Sequence, residues 1–152
     1  MLGQTPQEHF RLILIAVVGQ AFGAAGYLLE ERPPQWAGGQ YRFHKDLGGG
    51  LNSFIEFMHL YYAEGKPSRF RVMLTRTDRP VPNMPSVHPK FAQRLLSTLV
   101  VTDFRVNILP SADHWWTYTN GDTRELGRAL GEAGSLTVGY GMPWLAGELT
   151  PP

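Results

Sequence analysis

The stretch from residue 41 to residue 77 constrains the fold most, because side chains of two kinds alternate along much of it. The segments rich in aromatic and β-favouring residues are 40–44, 52–62 and 69–77. A period of two is typical of a strand with one buried face. Residues 46–50 and 64–67 supply glycine-containing connections between these segments. We therefore predict a three-stranded antiparallel meander over about residues 40–77.

Side-chain chemistry also predicts the register of both hairpins. The predicted facing pairs are Tyr41–Ile55 and Phe43–Ser53 in the first hairpin, with Phe70–Tyr61, Val72–His59, Leu74–Phe57, Arg69–Tyr62 and Arg71–Leu60 in the second. This register collects aromatic and branched side chains on one face of the meander. A slip of one residue would move every side chain of a strand to the other face.

The second face of the meander is predicted to be mixed in character. Its members are Arg42, Phe54, Glu56, Met58, Leu60, Tyr62, Arg69, Arg71 and Met73. Glu56 can reach Arg42 diagonally across the first hairpin. A face with this much Met, Leu and Tyr is too apolar for full exposure to water. We expect it to meet a helix, a second subunit or a ligand.

A long apolar helix is predicted before the meander. Residues 5–8 read Thr-Pro-Gln-Glu, with Thr as N-cap, Pro at the first helical position and Glu three residues after the cap. We predict that this helix runs to about Glu31, before Pro33. Residues 12–29 carry no charge and Gln20 is the clearly polar residue among them. Such a helix is buried on all sides or lies in a membrane.

The membrane hypothesis and the core-helix hypothesis can be weighed from the same residues. A length of 18 residues is at the lower limit for a span, and the Gly19–Gly23 spacing is a helix-association motif in lipid. Against a span, the flanking charges are mixed and show no positive-inside bias. Glu8 and the lack of a basic cluster disfavour a signal peptide. We predict a core helix in a cytoplasmic protein and keep a membrane-anchored subunit through residues 12–29 as an alternative.

The remaining chain predicts shorter elements. Four prolines make residues 78–89 an extended connection. The elements expected after it are a helix over about 89–99, strands over about 104–108 and 115–119, a helix from the Asp122 cap to Gly134, a strand over 136–140, and a strap over 141–152 that buries Trp144. This order predicts one α+β domain over residues 1–152, with an antiparallel sheet rather than a doubly wound parallel one.

Composition narrows the possible functions. The chain has 152 residues, 43% of them hydrophobic, which is enough for one core. A net charge of +1 gives no global attraction to nucleic acid or an anionic membrane. The absence of cysteine excludes disulfides, thiol catalysis and cysteine-ligated metals.

No catalytic, metal-binding or cofactor motif is evident. The glycines at 48–50 lead into a strand and lack the Lys-Ser/Thr of a phosphate loop, and the serines lack a nucleophile-elbow context. The histidines show no metal-ligand spacing; they are His9, His44, His59, His88 and His114. We therefore predict no catalytic residue, no metal site and no cofactor.

Three local features still suggest chemistry. His59, on the predicted core face, is either a buried histidine satisfied by neighbours or a general base in a pocket. Trp115 and Trp116 are adjacent strand residues and point to opposite faces, so one is expected in the core and one at an interface or ligand surface. Arg69 and Arg71 resemble a platform for single-stranded nucleic acid, which the near-neutral charge of the chain disfavours.

These observations lead to two further hypotheses about function besides the membrane-anchored one. The leading hypothesis is a non-enzymatic protein that works by association, as a homodimer or as a subunit of a larger assembly. Its predicted interface residues are Met58, Leu60, Tyr62, Arg69, Arg71 and Trp144. The alternative is an enzyme or small-ligand binder with a pocket between sheet and helices. Its predicted ligand-binding residues are Glu56, His59, Arg71, His114 and Trp116.

Overall fold

The computed structural model has an α+β fold with an antiparallel sheet, as predicted. It describes residues 5–63 and 65–152. Residues 1–4 of the predicted N-terminal segment lie outside the described residues, as does Glu64 of the predicted second turn.

The sheet is six-stranded and fully antiparallel. Its strands are β1 (Leu28–Leu29), β2 (Gln40–Gly48), β3 (Leu51–Leu60), β4 (Ser68–Thr77), β5 (Ala92–Leu95) and β6 (Trp116–Tyr118). The first five strands neighbour one another in chain order, and β6 also pairs with β4. The edge of β4 that faces away from β3 is shared: residues 73–76 pair with β5, and residues 68–70 pair with β6.

The predicted meander is confirmed, and its predicted faces are right, but its predicted register is two residues off in both hairpins. The observed pairs are Tyr41–Phe57, Phe43–Ile55, His59–Phe70, Phe57–Val72, Ile55–Leu74, Leu60–Arg69 and Met58–Arg71. The cause lies in the turns. The first turn is tight, with Gly49 and Gly50 at positive φ, whereas in the second hairpin β3 ends at Leu60 and β4 begins only at Ser68. A shift of two keeps each side chain on its face.

The helix α1 (Pro6–Ala24) begins as predicted and ends earlier. The Thr5 hydroxyl accepts a hydrogen bond from the Glu8 amide at 3.1 Å. The prediction that the helix reaches Glu31 is wrong, because Gly26 adopts φ 94° and the chain then enters β1. No helix among the described residues is long and apolar enough to cross a membrane.

One stripe of α1 packs on the sheet, and its other side does not. Phe10, Leu14, Val18 and Phe22 are buried at four-residue spacing. They meet the inner face of the sheet, which we define as the face of β2–β4 that carries Tyr41, Phe43, Ile55, Phe57, Phe70, Val72 and Leu74. The expectation of a helix covered on all sides is therefore wrong.

The second half of the chain differs most from the predictions. The helices there are α3 (Leu96–Thr98), which continues as a π-helix over Leu99–Asp103, α4 (Thr123–Leu136), which continues as a π-helix over Thr137–Gly141, and α5 (Met142–Leu145). A short α2 (Pro33–Ala37) lies before β2. Of the predicted helix over 89–99, residues 92–95 form β5 instead and residues 96–99 are helical, and the predicted strands over 104–108 and 136–140 are not strands. The strand predicted over 115–119 is confirmed as β6.

Two particular residues explain these differences. Arg105 adopts φ 59°, which interrupts an extended path through residues 104–108. Gly134 does not end α4. A Cβ at this position would lie 2.8 Å from Cγ1 of Val18, so the glycine allows α4 to lie close to α1. The Asp122 carboxylate caps α4 as predicted, accepting from the Glu125 amide at 2.9 Å.

Helices α1 and α4 lie side by side and parallel on the inner face. His9 and Thr123, near the start of each helix, are joined by a 3.0 Å hydrogen bond, and Val18 and Gly134 meet further along. The C-terminal strap is anchored at the end of β4, where Arg76 Nη1 donates to the carbonyls of Trp144 and Leu145. This layout leaves two surfaces open: the outer face of the sheet and the far side of the α1–α4 pair.

Candidate functional site

His59 lies at the centre of a polar network inside the core. It is 2% exposed. Its Nδ1 is 2.6 Å from Gln7 Oε1, and its Nε2 is 2.6 Å from the Tyr118 hydroxyl. Because an amide oxygen only accepts, we assign the ring proton to Nδ1, and Nε2 accepts from Tyr118. Phe10 stacks on the ring at 4.1 Å, and Tyr41 donates to Gln7. The chain itself satisfies both ring nitrogens.

The electrostatics of this network favour a structural role. Burial lowers the pKa of His59 to about 4 and raises the pKa of Tyr118 to about 12. Burial likewise raises the pKa of Tyr41. A general base or acid works best when its pKa lies near the working pH. At neutral pH the network holds a neutral imidazole that ties α1, β3 and β6 together.

A polar cavity of about 350 Å³ lies beside this network. Its lining residues are Thr5, Pro6, His9, Tyr61, Tyr118, Asn120 and Gly121. His9 Nε2 in this cavity is bonded to the Thr123 hydroxyl at 3.0 Å. The cavity therefore has polar walls whose histidine already has a partner from α4.

Arg42 on the outer face of the sheet is buried and paired. It is 5% exposed, and its guanidinium lies 3.3 Å from Glu30 and 3.2 Å from Glu56. Glu56 lies directly opposite Arg42 rather than diagonally. Burial raises the pKa of Glu56, and Arg42 opposes that shift. Glu30 also lies 3.7 Å from the exposed Arg32, and the chain itself supplies both partners of Arg42.

Arg69 and Arg71 on the same face have a different environment. Their Cζ atoms lie 4.3 Å and 4.6 Å from the ring centroid of Trp115, which is half-buried. The Nε atom of each arginine is buried and has no hydrogen-bond acceptor among the described residues. The ion pairs between described residues involve other arginines, namely Arg11, Arg32, Arg42 and Arg94. Two guanidinium groups thus converge on one indole ring without a described counter-ion.

The five predicted ligand-binding residues do not form one pocket. Glu56 and Arg71 lie on the outer face, while His59 and Trp116 lie on the inner face. His114 contacts Trp116 edge-on, with ring centroids 4.8 Å apart. The polar cavity beside Tyr118 is lined by other residues.

The predicted interface residues divide in a similar way. Trp144 lies in α5, next to Arg76 at the C-terminal end of β4, and is partly buried against the core. The other five lie together at one end of the outer face, and they are Met58, Leu60, Tyr62, Arg69 and Arg71. Trp115 joins this group and was not among the predicted site residues. Its outward direction follows from alternation, but its place beside Arg71 depends on the pairing of β6 with β4.

A second candidate surface, which the sequence did not predict, lies on the far side of the helices. We define the α1–α4 face as Leu12, Ile15, Ala16, Val17, Gly19, Gln20, Ala21, Gly23 and Ala24 of α1, with Gly131 and Ser135 of α4 and Val138 and Gly139 of the following π-helix. Leu12 and Val138 are each 44% exposed. An apolar groove of about 450 Å³ runs between the two helices on this face.

The glycines of the α1–α4 face are not explained by packing within the chain. A Cβ added at Gly23, Gly131 or Gly139 would meet no described atom within 4 Å. Glycine inside an α-helix costs about 1 kcal/mol relative to alanine. Gly134, by contrast, is required by its contact with Val18. Gly131, in the interior of α4, therefore weakens its helix without a compensating contact among the described residues.

No protein-family model matches the chain, and searches of curated proteins and of solved structures find no match either. Function has therefore to be inferred from these two surfaces and the network between them.

Proposed function

We propose that the protein works by association with a second copy of itself through the α1–α4 face. The observation that carries this proposal is the combination, on one uncharged surface, of exposed branched side chains and helix glycines that no described contact requires. Close approach of another helix would compensate the cost of such glycines.

The choice of a second copy as the partner follows from the shape of the surface. Leu12, Ile15 and Val17 are exposed on α1, and Val17 borders the groove that runs along Gly131 and Gly139. In a twofold dimer each patch meets its own copy, so the exposed side chains of one chain can enter the groove of the other. A ridge and a groove on the same surface satisfy this requirement. The surface has no charge that would repel its copy.

The size of the surface also fits a dimer. The α1–α4 face supplies about half of the 20–30 residues that each partner contributes to a standard interface. Further charged residues would add to it as part of a polar rim, namely Arg11, Glu31, Arg128 and Glu132. An apolar centre with a polar rim is the usual anatomy of such an interface.

Sedimentation analysis of the wild type and two charge variants tests the proposal. Ala16→Arg places a charge at the centre of the α1–α4 face, at an exposed helical position. Val87→Arg places the same charge at a fully exposed position in the 78–89 connection and serves as the control. We expect dimers for the wild type and for Val87→Arg, and monomers for Ala16→Arg with unchanged circular dichroism.

Three results would overturn the proposal. One is a wild-type monomer at about 100 μM, a concentration at which an interface worth more than about 5.5 kcal/mol gives dimers. Another is a dimer that Ala16→Arg leaves intact. The third is a wild-type monomer that binds lipid vesicles through this face, which would assign the surface to a membrane rather than to a second copy.

A further inference from the structure

We propose that Arg69, Arg71 and Trp115 form a binding site for the phosphate group of a small phosphomonoester. The site lies on the outer face of the sheet, opposite the helices, and does not depend on the proposed dimer. The proposal rests on the placement of the three side chains and on the lack of a described counter-ion for either arginine.

The first step is the position of the two arginines. They are two residues apart on β4 and so point to the same face, about 7 Å apart along the strand. Both guanidinium groups nevertheless lie within 4.6 Å of the same indole centroid. Neither has a carboxylate partner among the described residues, so an anion beside the indole can interact favourably with both charges.

Both arginines also have unsatisfied hydrogen-bonding capacity. The Nε of Arg69 and of Arg71 is buried and lacks an acceptor among the described residues. A buried polar group without a partner is uncommon and costs free energy. Arg11 and Arg79 also have a buried Nε without a described partner, so this feature is specific to the site only together with the shared indole. A phosphate would be bound by the terminal Nη groups of Arg69 and Arg71, which carry further N–H donors.

The charges and N–H donors of the two arginines match those that a phosphate group requires. A phosphomonoester carries a charge of about −1.5 to −2 at neutral pH and three acceptor oxygens. Two arginines supply two positive charges and fork-shaped pairs of N–H donors, which suit bidentate contacts to such an oxyanion. Arg42 cannot contribute, because Glu30 and Glu56 already pair with it.

The surroundings indicate the rest of the ligand. Leu60 and Met58 face Arg69 and Arg71 across the β3–β4 pair, and Leu60 is exposed. The ring of Tyr62 lies 5.7 Å from the guanidinium of Arg69. An apolar or aromatic group attached to the phosphate can lie on these side chains. Two unpaired cations and a net charge of +1 are too few for a nucleic acid backbone, which needs a tract of positive charge.

Calorimetric titration with phenyl phosphate and with inorganic phosphate, at constant ionic strength and pH 7.5, tests the site. Phenyl phosphate combines the anion with an aromatic ring. We expect saturable binding with a Kd of about 1 mM or below, and tighter binding than for inorganic phosphate.

Four variants locate the binding. Arg69→Gln and Arg71→Gln are each expected to weaken phenyl phosphate binding by about tenfold or more. Arg71→Lys keeps the charge and loses the planar fork, so an intermediate loss of affinity is expected. Arg124→Gln removes one exposed positive charge at the start of α4 and is expected to leave the affinity within about twofold. Circular dichroism confirms that each variant is folded.

Three outcomes would overturn this inference. The first is no saturable heat with either ligand at about 10 mM, a concentration well above useful affinities for such a site. The second is an equal loss of binding for Arg124→Gln, which would indicate general charge attraction. The third is a short single-stranded oligonucleotide that binds much more tightly than phenyl phosphate, which would assign the surface to nucleic acid.

Discussion

The outer face of the sheet carries two groups of arginines that differ in whether the chain supplies their counter-ions. Arg42 is buried between Glu30 and Glu56, and the chain supplies both of its partners. Arg69 and Arg71 converge on Trp115, and among the described residues no carboxylate pairs with either one. One arginine on this surface is thus paired within the chain, whereas the other two lack a described counter-ion.

The same contrast recurs elsewhere in the molecule. On the inner face, His59 has partners for both ring nitrogens. Between the helices, Gly134 is required by its contact with Val18, whereas Gly131 has open space around its Cα. A group without a described contact is a position at which an external partner can bind. Each contrast can be tested by making the same kind of substitution at both residues that are compared.

The largest expected effect comes from replacing each kind of arginine with methionine. Arg42→Met leaves Glu56 without its described partner and Glu30 with only the exposed Arg32, and we expect a loss of about 3 kcal/mol in the free energy of unfolding at pH 7. Arg71→Met removes a charge that has no described counter-ion, so a change within about 0.5 kcal/mol is expected. Urea denaturation measures both. Equal losses for the two variants would contradict the contrast.

Acidification tests the closed network around His59. Its pKa in the folded protein is about 4, below the ordinary value of 6.5, so between these values the unfolded chain binds more protons than the native one. Stability from this group is therefore full above pH 6.5 and is lost as the pH falls toward 4, by about 3 kcal/mol. Urea titrations at pH 7 and pH 4.5 of the wild type and of His59→Gln measure this loss. The variant is expected to lose less stability on acidification, and an equal loss would contradict the assignment.

The elements that the sequence predicted correctly are those with a strong local signal. The meander alternates with a period of two, so its faces were predictable even though its register was not. The register depends on where each strand ends, and β3 ends at Leu60 whereas the predicted turn begins only at residue 64. The caps at Thr5 and Asp122 depend on neighbouring residues alone and were also predicted.

The elements that the sequence did not predict depend on distant partners. Residues 92–95 read Ala-Gln-Arg-Leu and become a strand because they pair with the free edge of β4. For the candidate site, the outward direction of Arg69 and Arg71 was predictable, but their contact with Trp115 required the pairing of β6 with β4. The α1–α4 face could not be predicted while α1 was expected to be covered on all sides.

The smallest expected effects separate the two helix glycines. Gly134→Ala would place a Cβ 2.8 Å from Cγ1 of Val18, and we expect this overpacking to cost about 1–3 kcal/mol in unfolding free energy. Gly131→Ala meets no described atom within 4 Å, so in the isolated chain it is expected to stabilise α4 by up to about 1 kcal/mol.

The sign of the Gly131→Ala effect is expected to depend on protein concentration. At low concentration, where monomers dominate, the alanine raises the urea midpoint through helix propensity alone. At high concentration a second copy would meet the added methyl group, so the gain is expected to shrink or reverse, because dimer stability is linked to protein concentration. A gain of the same size at both concentrations would mean that Gly131 lies outside any interface. Gly131 would then weaken α4 without serving any contact. The contrast between satisfied and unsatisfied groups would in that case hold only for the arginines on the outer face of the sheet.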